Sequence, residues 1–192
     1  MNSPIVKTCA GRVAGLNEGK VNVFKGIPYA EAPAGELRWK PPVPVAPWSG
    51  VREAKVHGPS CPQPQARMSH IYLQDLRPMA EDCLHLNIWA PADAQSAPVL
   101  FWIHGGSLLL GSGREPFFDG AQLAACGVAK GMVVVTINYR LGIFGYLAHP
   151  ELSAESTAGL SGNYGLLDQV EALRWVQQNI AAFGGDPANV TI

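Results

Sequence analysis

Two short, almost uninterrupted apolar runs constrain this chain most: VLFWI at 99–103 and MVVVTI at 132–137. Each is of strand length and carries no charge, so neither offers a polar face to water. Between them lies GAQLAACGVA, 120–129, which reads as a modest helix. Apolar strands joined through a helix imply parallel strands covered on both faces, hence an α/β fold. LHLNIWA at 84–90 alternates instead, as a half-buried strand does. The strongest helix is LLDQVEALRWVQQNIAAF, 166–183. Its expected inner stripe is Leu166, Val170, Leu173, Val176 and Ile180, at three- or four-residue spacing. Gly184-Gly185 ends it and Pro187 prevents its resumption. Trp175 and Leu167 fall on its nominally polar side, so the helix is expected to be covered twice, in a body larger than this chain supplies. Val190-Thr191-Ile192 begins a further strand, expected to be short and to leave an open edge.

The N-terminus has a different texture. Ile5-Val6, Arg12–Gly15 and Val21–Phe24, punctuated by Gly11 and Asn17-Glu18-Gly19, predict a small antiparallel sheet. Residues 26–64 are dense in proline and glycine, which forbids regular helix. Tyr29, Trp39 and Trp48 give that stretch apolar anchors, so it reads as an ordered surface loop rather than a linker. The 192 residues are treated as one domain, long enough for a sizeable core.

Charge narrows the function. Lys plus Arg number 14 against 15 Asp plus Glu, which argues against nucleic acid or an anionic membrane as partner. No apolar run approaches bilayer length, and MNSPIVKTCAG lacks the apolar core of a signal peptide. A cytoplasmic location is therefore expected. Four cysteines are too few for a disulfide scaffold, and none is spaced CxxC, so no zinc site is expected.

The informative segment is WIHGGSLLLGSG, 102–113, a glycine-rich loop directly after an apolar strand. Its backbone N–H groups belong at the C-terminal edge of a sheet, where ligands of open α/β folds collect. Gly106 and Gly111 have the spacing of a phosphate loop, but Ser112-Gly113 stand where lysine and Ser/Thr are required, and GxGxxG is absent. A plain turn loop remains one reading. The other is an oxyanion hole, which needs two or three N–H donors on backbone with minimal side chains. His104-Gly105-Gly106 after a strand has the local pattern of esterase and lipase loops.

Here the chain resembles the N-terminal part of type-B carboxylesterases, the α/β-hydrolase family that includes cholinesterases and bacterial p-nitrobenzyl esterases. The resemblance rests on FKGIPYAEAP (24–33), LRWKPP (37–42), CPQ (61–63), EDCLHLNIWAP (81–91), WIHGGS (102–107), NYRLGIFGYL (138–147) and GNYGLLDQVEALRWVQQNIAAFGGDPANVTI (162–192), in family order. It implies the N-terminal portion of the α/β-hydrolase fold, incomplete before the nucleophile elbow. It implies that Gly106 and Ser107 supply oxyanion donors, while His104 and Gly105 order the loop. The family usually has Gly or Ala at Ser107 and an aromatic residue at Leu108. The resemblance also implies buried ion pairs Arg38–Glu81 and Arg140–Asp168, and a Cys61–Cys83 disulfide. That bridge would contribute roughly 3 kcal/mol; two reduced thiols are the equal alternative. Cys9 and Cys126 match no family feature and read as small apolar residues.

Acyl transfer on this fold needs a serine in GxSxG, and no serine among the 192 residues has that context. In the family the elbow follows GGDPANVTI. The expectation is thus a carboxylic ester hydrolase by family, working through a serine acyl-enzyme on a small-molecule ester, without metal or cofactor. This chain would supply the oxyanion loop but not the triad and would be inactive alone. The rivals are a non-catalytic, cholinesterase-like adhesion module and an inactive remnant.

Overall fold

The computed structural model describes residues 3–64, 78–126 and 131–192. His70 and the side chain of Cys126 lie outside what is described.

The chain opens with β1 (Ile5–Lys7), β2 (Arg12–Ala14), β3 (Leu16–Glu18) and β4 (Val21–Pro28). After the proline-rich stretch come β5 (Val51–Glu53) and β6 (His85–Pro91), then β7 (Ala97–Ile103), α1 (Ala121–Cys126) and β8 (Val133–Ile137). Three helices follow, α2 (Gly142–Tyr146), α3 (Pro150–Glu155) and α4 (Tyr164–Asn179), and then β9 (Gly185–Thr191). The strands form a three-stranded sheet, β1-β2-β5, and a six-stranded sheet, β3-β4-β6-β8-β7-β9. In the large sheet β4, β6 and β8 pair antiparallel, whereas β7 runs parallel to both β8 and β9. The two apolar runs are thus parallel neighbours, in register from Val99–Val133 to Ile103–Ile137.

Several expectations shift. The small sheet is mixed, because β5 joins β2 in parallel. Val21–Phe24 belongs to the large sheet instead. β4 turns Val21 and Val23 to one apolar cluster and Phe24 and Ile27 to the other, so both its faces have cover. The strands at 84–90 and 99–103 exchange characters. β6 is buried nearly throughout because it sits between β4 and β8. Leu86 and Ile88 pack on one side of the sheet, and Trp89 packs with Val134 and Ala124 on the other. β7 alternates: Val99 and Phe101 face the main core, while Trp102 remains 40% exposed with its ring 5.3 Å from Phe118. β9 is longer than expected, beginning at Gly185, and forms the edge of the large sheet.

α4 keeps the expected face in its later turns, where Leu173, Val176 and Ile180 pack on the main core, but departs from it in the first turns. It buries Tyr164, Asp168, Glu171, Ala172, Trp175, Val176 and Asn179. Leu166 stays 52% exposed, and Leu167 and Val170 are exposed beside it. Polar side chains displace the leucines inward because each finds a partner. Asn179 accepts from the Cys9 N–H at 2.7 Å and donates to the Trp175 carbonyl at 2.8 Å. Cys9 itself is an exposed thiol, not a small buried residue. A 3-10 turn, Ile180–Phe183, continues the helix until Gly184 ends it at φ 84°, a conformation that favours glycine.

The proline-rich stretch is tied down by its aromatic residues. Tyr29 is buried and donates to the Asn138 carbonyl at 2.6 Å. Trp39 donates to Ile143 O at 2.9 Å and Trp48 to Arg12 O at 3.1 Å.

Arg140, just after β8, joins these parts. Its side chain is 2% exposed and that of Asp168 is fully buried. Arg140 Nε and Nη2 donate to the two Asp168 carboxylate oxygens at 2.8 and 2.6 Å, and the Arg140 backbone N–H adds a third bond at 3.1 Å. Nη1 donates to the Lys40 carbonyl at 2.8 Å, which anchors the proline-rich stretch to the same guanidinium. Removing one member strands a buried charge, which costs about 3–5 kcal/mol. Asp168→Ala is therefore expected to lower the urea midpoint by an amount corresponding to that range. A loss below about 1 kcal/mol, the worth of an exposed pair, would show that the pair does not hold the fold.

Candidate oxyanion site after the third central strand

His104 leaves β7 and the chain returns at Gly111. Between them Gly106, Ser107 and Leu108 all have positive φ, at 120°, 54° and 62°. A Cβ on Gly106 would fall on the Leu110 carbonyl oxygen, so glycine is required there by space as well as by φ. Ser107 and Leu108 have no such freedom, and holding them left-handed costs of order 1–3 kcal/mol each. The turn closes on one acceptor, since Leu109 N and Leu110 N both donate to Gly106 O at 3.0 Å. The N–H groups of Gly106 and Ser107 have no acceptor among the described residues, and both residues are exposed. A second tether runs from Gly142 N to Leu108 O at 2.8 Å.

Beneath the loop, His104 is buried and stacks on Tyr139, with centroids 4.5 Å apart and planes 19° from parallel. Tyr139 donates its hydroxyl to the His104 carbonyl at 2.8 Å. Nδ1 of His104 lies 2.9 Å from Gly105 O. A carbonyl only accepts, so Nδ1 carries the proton. Nε2 is buried without a partner. Burial, slightly opposed by the bond to Gly105, pushes the His104 pKa down to about 4. The ring is therefore neutral near pH 7 and packs as part of the wall.

Sequence reasoning did not find the polar support of the loop's return. Gly111 N donates to Gln63 Oε1 at 2.7 Å, and Gln63 Nε2 donates back to Gly111 O at 2.9 Å. Asn138 Oδ1 accepts from Ser112 Oγ and from Gly113 N, both at 2.8 Å, and Asn138 Nδ2 donates to Pro59 O at 2.9 Å. Asn87, inside β6, accepts from Gly26 N at 3.0 Å and donates to Thr136 Oγ1 at 2.9 Å. The visible signal was a polar residue inside or directly after an apolar strand, as Asn87 and Asn138 are. Such a residue is buried only when its hydrogen bonds are satisfied. His57, 3.0 Å from the same Asn87 oxygen, is pushed down to about 4, first by burial and then by Lys25.

The remaining candidates lie around this centre. Arg38 meets Glu81 through two bonds of 2.6 Å, but their side chains are 39% and 22% exposed, so this pair is not buried. The bond from Arg38 holds the Glu81 carboxyl below its ordinary value. Cys61 and Cys83 are two buried thiols rather than a disulfide. Their proximity holds the Cys61 thiol below its ordinary pKa and pushes that of Cys83 up, where burial adds to the rise. The Cys61 sulfur also accepts from Leu141 N at 3.2 Å. Beside the loop lies an apolar groove of about 810 Å³, lined by Pro62, Leu108, Leu109, Ile143, Phe144 and Leu147 among others. Among the described residues, no group of three or more His, Cys, Asp and Glu is placed to hold a metal, and no helix is long and apolar enough to cross a membrane.

The buried His104 and the half-buried His57 generate a pH dependence. Each has its folded pKa depressed to about 4 from an unfolded value near 6.5. The unfolded chain therefore binds more protons between those values, and stability falls as pH drops from about 6.5 toward 4. His104 alone accounts for up to about 3 kcal/mol of that loss. His104→Phe keeps a ring on Tyr139 and removes the titration. Its urea midpoint should change less between pH 7 and pH 4.5 than that of the parent; an equal change would assign the acid lability elsewhere.

Comparison with known proteins identifies the family. The model of the carboxylesterase family matches residues 2–192. The chain is 48% identical over 190 residues to the fumonisin B1 esterase of Sphingopyxis macrogoltabida, covering 96% of this chain and 33% of that protein. It is 48% identical over 193 residues to the para-nitrobenzyl esterase of Bacillus subtilis, covering all of this chain and 38% of that protein. A solved p-nitrobenzyl esterase superposes with a TM-score of 0.88 at 47% identity, over 98% of this chain and 38% of that one. A Geobacillus stearothermophilus carboxylesterase gives 0.85 at 51% identity, over 98% and 36%. The chain thus spans roughly a third of the length of these relatives. Its sheet and helices are those of the N-terminal part of the α/β-hydrolase fold, and the chain belongs to the carboxylesterase family.

Proposed function

We propose that this chain provides the oxyanion-stabilising side of a carboxylic ester hydrolase that acts on small-molecule esters through a serine acyl-enzyme. The observation that carries the reading is the pair of unpartnered N–H groups, Gly106 and Ser107, on a strained turn at the C-terminal end of β7. Attack on an ester carbonyl moves charge onto its oxygen, and preorganised backbone donors lower that barrier most where water is excluded. Gly106 and Ser107 are the donors. His104 and Gly105 order the base of the loop. Arg38–Glu81 and Arg140–Asp168 are architectural and hold the surrounding segments. The apolar groove beside Leu108 and Leu109 receives a hydrocarbon part of the substrate. The esterase names of the relatives support the reaction class.

No GxSxG occurs in these 192 residues. The reading therefore assigns nucleophile, acid and base to polypeptide outside them. Alone, the 192 residues should hydrolyse a p-nitrophenyl ester at the background rate and take up no fluorophosphonate. Stoichiometric labelling with turnover would require an unconventional serine here. Joined at Ile192 to the matching remainder of the B. subtilis para-nitrobenzyl esterase, they should hydrolyse the same ester. In that chimera Gly106→Ala should lower kcat by about 10²–10³-fold, the usual cost of one oxyanion donor. An active chimera indifferent to this substitution would remove Gly106 from the site. A chimera that folds but stays inactive would favour a non-catalytic binding module.

A further inference from the structure

We infer that Gln63 is a positioning residue for the oxyanion loop: its amide clamps Gly111 and so fixes where the Gly106 and Ser107 N–H groups point. The inference rests on the reading of those two groups as oxyanion donors.

The loop is a bulge whose neck is formed by His104-Gly105 leaving and Gly111 returning. The neck is tight, since a Cβ on Gly111 would stand 2.5 Å from both Gly105 O and His104 Nδ1. No strand pairs with the chain at Gly111. Gln63 takes the place of one. Its Oε1 accepts from Gly111 N at 2.7 Å and its Nε2 donates to Gly111 O at 2.9 Å, the two-bond ring that a neighbouring backbone would make. The second amide hydrogen goes to the Cys61 carbonyl at 3.1 Å, which fixes the side chain to its own segment. Both donors of the amide are used, so a carboxylate cannot substitute: it would face two carbonyl oxygens with nothing to donate.

The loop then has two ties, Gly142 N to Leu108 O near its tip and Gln63 to Gly111 at its neck. Gly106 and Ser107 directly precede the first tied residue, and their N–H groups make no bond among the described residues. An oxyanion donor works only within about 2.7–3.1 Å of the developing charge, and a misplacement near 1 Å costs about 100-fold. Losing one tie therefore weakens transition-state binding more than it weakens binding of the ground-state ester.

The test uses the chimera described above with Gln63→Glu and Gln63→Ala. Both should lower kcat about 10–100-fold, with KM within about twofold. Affinity for a phenylboronic acid, which forms a tetrahedral anion at the serine, should fall in parallel. The assays are run well below the unfolding midpoint of each variant, so lost stability alone moves neither quantity. Variants with an unchanged kcat and boronate affinity overturn the proposal. If the parent chimera is inactive, the reading of Gly106 and Ser107 fails separately. Amide exchange of Gly111, followed by NMR in the 192-residue chain, then decides the clamp itself. Exchange at least tenfold faster in Gln63→Glu supports it, and unchanged exchange overturns it.

Discussion

The buried Arg140–Asp168 pair is the constraint around which this structure is arranged. Arg140 stands where β8 ends and must turn away from the sheet, and Asp168 lies on the inner face of α4. A guanidinium that is 2% exposed is tolerable only if its donors are met. Asp168 meets two of its N–H groups and the backbone N–H, and the Lys40 carbonyl meets another. One residue thus sets the azimuth of α4, the exit path after β8 and the position of the proline-rich stretch. That exit path carries Tyr139 under His104, Asn138 against Ser112 and Gly113, and Gly142 against Leu108. The glycine-rich loop after β7 is shaped through the segment that Arg140 anchors.

The same pair explains why the helix face was misread. Hydrophobic periodicity placed Leu166 and Val170 inside and set Trp175 on the polar side. The periodicity was genuine, but an acid with a buried arginine partner outweighs a leucine's preference for the core. The helix is turned by the pair, and Trp175 reaches Phe183, 6.0 Å between ring centroids. Only the family resemblance, through NYRLGIFGYL and GNYGLLDQ, indicated that partner. The strands show a second limit. The existence of β6, β7 and β8, and the parallel pairing of the last two, were legible from composition alone. Which strand would be covered on both faces was not, because cover depends on sheet order. β6 alternates in sequence yet lies centrally, whereas β7 is continuous yet leaves Trp102 40% exposed on one face, its ring 5.3 Å from Phe118.

At the site, the glycines were legible and their supports were not. Gly106 and Gly111 are visible in sequence because close approach and positive φ require them. The groups that hold them are polar side chains from distant segments: Gln63 from the CPQ stretch, Asn138 after β8 and the ring of Tyr139. Each looks ordinary in sequence, since a polar residue near a strand end is usually solvated. The resemblance paired Cys61 with Cys83 and left a disulfide and two reduced thiols as equal alternatives; the structure has the two thiols buried, with the Leu141 N–H donating to the Cys61 sulfur.

The strain in the loop bears on how the fold divides its work. Two non-glycine residues, Ser107 and Leu108, are held at positive φ beside a glycine that admits no side chain. Strain of this kind persists only where the surroundings over-determine the backbone. Every contact that does so here, from Gln63, Asn138, Tyr139 and Gly142, comes from within the same 192 residues. Under the function proposed above, the Gly106 and Ser107 N–H groups are thus held in place before any charge develops. An electrostatic site fixed in advance needs no reorganisation when charge develops, which is the condition under which such donors are most effective. By contrast, the exposed Leu166, Leu167 and Val170 of α4 form an apolar margin, and β9 forms an edge of the large sheet. Shaping the loop and covering that margin are thus separate physical tasks. The first is accomplished by polar groups that lie far apart in sequence and meet at one strand end.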